Sequence, residues 1–133
     1  MKAECQCGQL TAEVPEKSLI TIACHCMACQ RRTGAPFGVL AYHRRDQVTV
    51  AGEAKSFRRI SDAGNTFETH FCPGCGSTVY ATLSKQPGLI GIAIGTMADP
   101  AQKAPVWSVW EQSRHHWITL PEGMKHFEQD GQP

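Results

Sequence analysis

Three thiols fall inside the segment Cys24-His25-Cys26-Met27-Ala28-Cys29, close enough together to share one metal ion. Zinc is usually tetrahedral: four protein ligands make a structural site, whereas three leave a position for an exchangeable ligand, as in catalytic zinc. The other four cysteines come as two pairs, Cys5-Gln6-Cys7 near the start and Cys72-Pro73-Gly74-Cys75 past the middle, which together complete a four-thiolate cage. The seven cysteines divide as four plus three. An open position in so thiolate-rich a site suits an incoming thiol better than a hydroxide, and a coordinating thiol is held deprotonated at neutral pH. Such a thiolate is a nucleophile for a carbonyl carbon. The competing reading closes the second site with a fourth protein ligand, either His25 or one of the more distant His43, His70, His115, His116 and His126. His25 is poorly placed for this, since in an extended Cys-His-Cys its side chain points away from its neighbours.

The run Cys72-Pro73-Gly74-Cys75-Gly76 has the form of a zinc knuckle, a tight turn whose glycines accept positive φ and let backbone amides reach the sulfurs. A redox Cys-x-x-Cys would instead sit in a βαβ setting at a helix start, and the flanks Phe71 and Ser77-Thr78-Val79-Tyr80 read as strands. Joined to the knuckle, Cys5 and Cys7 tie the beginning of the chain to its middle, and a structural zinc can contribute on the order of 10 kcal/mol to folding. Arginines come as the doublets Arg31-Arg32, Arg44-Arg45 and Arg58-Arg59. The last two read as solvated strand ends. Arg31 and Arg32 follow Cys29 on a helical stretch, where one can pair with a carboxylate of a thiol-bearing substrate.

The elements that must position these groups are mostly strands. Gln9 to Val14 alternates apolar and polar residues and stops at Pro15, and Ser18 to Ala23 delivers the chain directly into Cys24. From Cys26 to Arg32 the composition favours one or two helical turns, which Gly34 and Pro36 close. The thiol cluster thus lies at a strand-to-helix junction, where first-turn N–H groups lower thiol pKa values. Short β-prone runs follow at Phe37 to Tyr42, Val48 to Val50, Lys55 to Ile60, Thr66 to Phe71, Thr78 to Leu83 and Leu89 to Ile94. Turn residues such as Arg45-Asp46, Ala51-Gly52 and Ala63-Gly64-Asn65 separate them. Leu89 to Ile94 is nearly all apolar and belongs in the middle of a sheet. The tail beyond Gly95 reads as irregular, with Trp107, Trp110 and Trp117 packing over the sheet as core.

At 133 residues the chain fits a single domain spanning 1–133, with one modest core that metal helps to hold. A formal charge of +1 does not suggest a nucleic-acid surface. Two zinc ions on seven thiolates would make the protein slightly acidic. With no apolar run of signal-peptide or membrane-span length, the expectation is a cytoplasmic protein without membrane association. In that reducing compartment clustered cysteines are more often metal ligands than disulfides.

Cys5-x-Cys7-Gly8, Cys24-His25-Cys26-x-x-Cys29 followed by Gly34, and Phe71-Cys72-x-x-Cys75-Gly76-Ser77 together resemble the glutathione-dependent formaldehyde-activating enzyme family. The segment Gly95-Thr96-Met97-Ala98-Asp99-Pro100 and the tryptophan-containing stretch before Leu120-Pro121 are similar to the family as well. The resemblance implies an all-β, β-tent-like fold of packed antiparallel sheets with one short helical turn. It also implies a structural zinc on Cys5, Cys7, Cys72 and Cys75 and a catalytic zinc on Cys24, Cys26 and Cys29. The activity it implies is that of a carbon–sulfur lyase, joining glutathione and formaldehyde into a hemithioacetal. Its partners would then be a small thiol and a small aldehyde. A different class stays open beside it: a zinc-stabilised β binding module in which both metals are structural. The coordination of the second metal separates the two.

Overall fold

Alternating short runs make strands, and the computed structural model, which describes residues 1–61 and 64–131, contains eleven of them in two sheets. The smaller sheet is antiparallel, in the order β1 (Lys2–Glu4), β2 (Thr11–Glu13), β5 (Thr49–Ala51). The larger comprises β3 (Ile20–Cys24), β4 (Gly38–Arg44), β6 (Lys55–Ile60), β7 (Thr66–Phe71), β8 (Thr78–Leu83), β9 (Leu89–Ala93), β10 (Trp107–Val109) and β11 (Lys125–His126). Its spatial order is β11-β10-β3-β4-β9-β8-β7-β6. Every pairing is antiparallel except at one end, where β10 runs parallel to both β3 and β11. As its apolar run requires, β9 lies inside the sheet, with Ile90, Gly91 and Ile92 buried.

The two faces of the large sheet have different fates. On one, Ile90, Ile92 and Val79 pack against Ala3 and Ala12 of the small sheet and against Leu10 and Val14 beside β2, with Cys5 and Cys72 in the same cluster. On the other, Leu40, Phe67 and Ala81 form a second cluster with Tyr42 and Leu83, and Leu40, Tyr42, Phe67 and Leu83 of it line a cavity. Arg59 of edge strand β6 has its Nη2 3.9 Å from Cys26 Sγ, just past the end of β3. Five strand spacings separate β6 from β3, about 24 Å across a flat sheet at ~4.8 Å each. An arginine and a cysteine side chain cannot span that distance, so the sheet must coil upon itself. The cavity is the inside of that coil.

The single α-helix among the described residues, α1 (Met27–Thr33), follows β3 and ends at Gly34, whose φ of 67° closes it in the left-handed conformation. From β2 to β9 the strand and helix positions agree with the sequence pattern; β1, which the pattern does not mark, and the tail depart from it. The stretch read as irregular holds β10 and β11. Trp117 is 72% exposed, and Trp107 and Trp110 line the cavity, so the tryptophans do not form a core over the sheet. Of the expected turn at Ala63-Gly64-Asn65, Ala63 lies outside the described residues, while Gly64 N donates to Ser61 O at 2.8 Å.

Gly52, at φ 96°, gives the sharpest test of the small sheet, because a Cβ there would run into the backbone carbonyl of Gln9. Gly34 also has positive φ but meets nothing within 4 Å. Gly34→Ala should therefore cost only the ~1–2 kcal/mol of left-handed backbone, and Gly52→Ala distinctly more. Urea unfolding of the two variants beside the parent checks the ranking.

Candidate functional site

Two groups of sulfurs converge. Those of Cys5, Cys7, Cys72 and Cys75 lie within 4.8 Å of one another, as do those of Cys24, Cys26 and Cys29. In the first group Cys7 Sγ is 3.6 Å from both Cys5 Sγ and Cys72 Sγ. A tetrahedron with Zn–S bonds of about 2.3 Å places its sulfurs about 3.8 Å apart, so the spacing fits such an ion. The surroundings suit thiolates too: Leu10 N donates to Cys5 Sγ at 3.3 Å, Gly74 N to Cys72 Sγ at 3.3 Å and Gln9 Nε2 to Cys72 Sγ at 3.1 Å. The hydrogen bond with the Ser77 side chain, and then the Ser77 backbone N–H, hold the Cys75 thiol down at about 5.

The trio is built at the strand-to-helix junction. Cys24 ends β3, Cys26 caps α1 with its sulfur accepting from Cys29 N at 3.3 Å, and Cys29 is buried on the first turn. Contact with the Cys24 and Cys29 thiols pulls Cys26 down, while contact with Cys26 and then Cys29 pushes Cys24 up. Without a cation, then, these sulfurs share protons rather than all ionise. A bound metal is what such a donor set fits. Among the described residues no histidine or carboxylate joins the trio, and all three cysteines line the cavity of about 1080 Å³.

His25 is turned away from the trio and fully buried. Its Nε2 lies 2.9 Å from Ser108 Oγ, which itself donates to Glu111 Oε1 at 2.8 Å; the ring therefore donates from Nε2. His25 Nδ1 is left buried and unpartnered, and burial lowers the pKa of the ring. His126 Nδ1 meets the same Glu111 oxygen at 2.7 Å. The backbone of the Cys24-to-Cys26 loop is clamped as well. His25 O accepts from Gln30 Nε2 at 2.9 Å and from Ser113 Oγ at 2.7 Å, and His25 N donates to Val109 O at 3.0 Å. His115 is occupied with Gln30 Oε1 at 2.8 Å, and His70 stacks on Tyr80 with ring centroids 4.4 Å apart.

Of the two arginines singled out from the sequence, Arg32 lines the cavity, with a buried and unpartnered Nε, whereas Arg31 is exposed and outside it. Arg59 enters from the far edge of the sheet, a position that a doublet on a strand does not reveal. Gln30, Ser108, Glu111 and Ser113 were equally hidden, because Ser108 and Ser113 meet the thiol loop across 83 and 88 residues of chain.

A family model described as "Glutathione-dependent formaldehyde-activating enzyme" matches residues 1–113. A Fusarium vanettenii protein assigned provisionally to that activity is 29% identical over 93 residues, which are 68% of this chain and 50% of the relative. The chain therefore spans about half the length of the curated relative it matches. A crystal structure of a Rhodobacter sphaeroides protein superposes with a TM-score of 0.59 at 19% identity, covering 77% of this chain and 91% of the other, and supports the fold.

Burial alone would raise the pKa of Glu111, but hydrogen bonds from His126 and Ser108 outweigh it and hold the carboxyl below its ordinary value. A depressed carboxyl contributes stability above its unfolded pKa of about 4.3, and that contribution is lost as pH falls through the folded value. Glu111→Gln should accordingly be less stable than the parent at pH 7, with the difference shrinking below about pH 4. Thermal unfolding across that range checks the sign.

Proposed function

Because the chain belongs to the glutathione-dependent formaldehyde-activating enzyme family, we propose that it joins a small thiol, glutathione or similar, to a small aldehyde, formaldehyde or similar. It would do so as a zinc-dependent carbon–sulfur lyase. The observation that carries this reading is the trio of sulfurs set in the cavity wall with no fourth protein ligand among the described residues. On this reading Cys5, Cys7, Cys72 and Cys75 hold a structural zinc, and Cys24, Cys26 and Cys29 hold a catalytic one. Zinc bound there supplies the positive charge that keeps a coordinating thiol deprotonated at neutral pH.

The chain's own residues do the rest. Tyr42, Leu89 and Trp107 give the cavity apolar walls, and Arg32 and Arg59 give it positive charge. Its volume, about 1080 Å³, is slightly above the usual ligand-site range of roughly 300–1,000 Å³, with room for a tripeptide thiol and an aldehyde together. A sulfur lone pair adds to the carbonyl carbon, the carbon–oxygen π pair moves to oxygen, and that oxygen takes a proton from water. The thiol's own proton has gone to solvent. Hydrogen bonds from Gln30 and Ser113 to the His25 carbonyl hold the thiol loop still while this happens. Among the described residues no helix is long and apolar enough to cross a membrane, and free thiols need a reducing compartment, for which we propose the cytoplasm.

Cobalt-substituted protein should change its thiolate-to-metal absorption on addition of glutathione and release protons at neutral pH. Hemithioacetal should then form from formaldehyde faster than in buffer. Cys26→Ser and Cys29→Ser should stay folded and lose turnover, whereas Cys72→Ser should fail to accumulate as folded protein. Mild chelation should empty the trio first. A spectrum unmoved by every thiol tried, with no rate above background, would sink the enzyme reading and favour the zinc-stabilised binding module.

A further inference from the structure

The Arg58-Arg59 doublet on β6 is split by strand alternation. Arg58 faces one side and pairs with Glu68 at 3.3 Å. Arg59 faces the cavity, stacked 4.8 Å above the ring of Phe67, its partner in the register of β7. It is half-buried, and among the described residues no carboxylate lies within ion-pair distance of it. Its single polar contact in the cavity is Cys26 Sγ, at 3.9 Å from Nη2. A guanidinium carries five N–H donors in a planar fork. This one is aimed at the thiol trio with most of its donors unspent: beyond the Cys26 sulfur it meets no second anion among the described residues.

Position decides which anion. A substrate sulfur docked at the open side of the trio lies within a few ångströms of Arg59, so whatever charge Arg59 meets must sit very near that sulfur. The carboxylates of a glutathione-like thiol are many bonds away from its sulfur. The oxygen of the aldehyde is only two bonds away once the carbon–sulfur bond begins to form. Resting on the thiol-and-aldehyde reading above, we propose that Arg59 is a catalytic residue that donates hydrogen bonds to the aldehyde oxygen as it becomes an oxyanion. As sulfur adds to carbon, the π pair collapses onto oxygen, where the guanidinium receives the charge; a proton from water then completes the hydroxyl. Arg59 stays protonated throughout. The forked geometry lets one N–H remain on the Cys26 side while another turns to the new oxygen.

Arg59→Met and Arg59→Lys should be compared with the parent and with Arg58→Met, which removes a charge on the other face of the same strand. Circular dichroism establishes that each is folded. Glutathione affinity, read from the absorption of the cobalt-loaded proteins, should be unchanged within about twofold in Arg59→Met. Its kcat should fall by the 10²–10³-fold typical of losing one oxyanion donor. Arg59→Lys, which keeps charge but not the fork, should fall between, and Arg58→Met should match the parent. A readout independent of turnover is the preference for S-carboxymethylglutathione, whose added anion is one carbon from sulfur, over S-ethylglutathione. Calorimetry should find that preference in the parent and lose it in Arg59→Met. Unchanged kcat in Arg59→Met, or a loss of glutathione affinity that accounts for the whole loss of rate, would overturn the assignment. A parent that binds no thiol would overturn the underlying reading and this assignment with it. A parent that binds and turns over while Arg59→Met does the same overturns this assignment alone.

Discussion

Sulfur atoms crowded within 4.8 Å cannot all be anions unless a cation sits among them, and the fold gathers sulfurs under that constraint twice. In the four-thiol group the crowding joins the first turn of the chain to the knuckle, across 65 residues between Cys7 and Cys72. Cys5 and Cys72 are also core residues, packed with Ala3, Leu10 and Val79. The strands they anchor are short. Each strand of the small sheet has three residues, below the usual length of five or six, so the small sheet depends on the cage beside it as much as on its own hydrogen bonds. Where apolar area is limited, charge balance at sulfur takes over part of the work of the core.

The trio makes the opposite use of the same chemistry. It is displayed on the concave face of the large sheet, while the small sheet and cage occupy the other face. Coiling of the large sheet gives the trio a wall to face, and the parallel seam between β3 and β10 brings Trp107, Val109 and Trp110 to its side. The neutral, buried His25 ring and the doubly hydrogen-bonded His25 carbonyl fix the loop from behind. A histidine between two clustered cysteines is thus held by Ser108, which is itself bonded to Glu111, rather than directed at the other thiols.

What could be read from the chain was what its local pattern decides. Alternation marked β2 and β3, the apolar run marked β9, and the Gly34 stop marked the end of α1, because in each case neighbouring residues set the outcome. The cysteine spacings likewise foretold both thiol groups. β1 escaped notice because Lys2-Ala3-Glu4 has one apolar residue and becomes a strand only by pairing with β2. β10 and β11 escaped because parallel partners distant in sequence, not periodicity, make them strands. Arg59 was invisible for a related reason: the curvature that carries an edge strand back over the thiol loop is a property of the whole sheet. Of the tryptophans, hydrophobicity alone suggested burial, and only the fold could assign two of them to a cavity and one to the surface.

The seam between β3 and β10 has a bearing on how the protein is made. Synthesis proceeds from the N-terminus at about 5–20 residues per second, and segments fold as they emerge. The four cage thiols have all been made once Cys75 is out, but β3 then still lacks the strand that will flank it and the segment that clamps His25. For that interval the trio stands at an unfinished edge, open to whatever thiols and metal ions surround the ribosome. Closing the seam is a long-range step, the kind that folds slowly. The four-thiol group is thus complete before the cavity exists, so the order in which the two thiol groups are finished is written into the order of the strands.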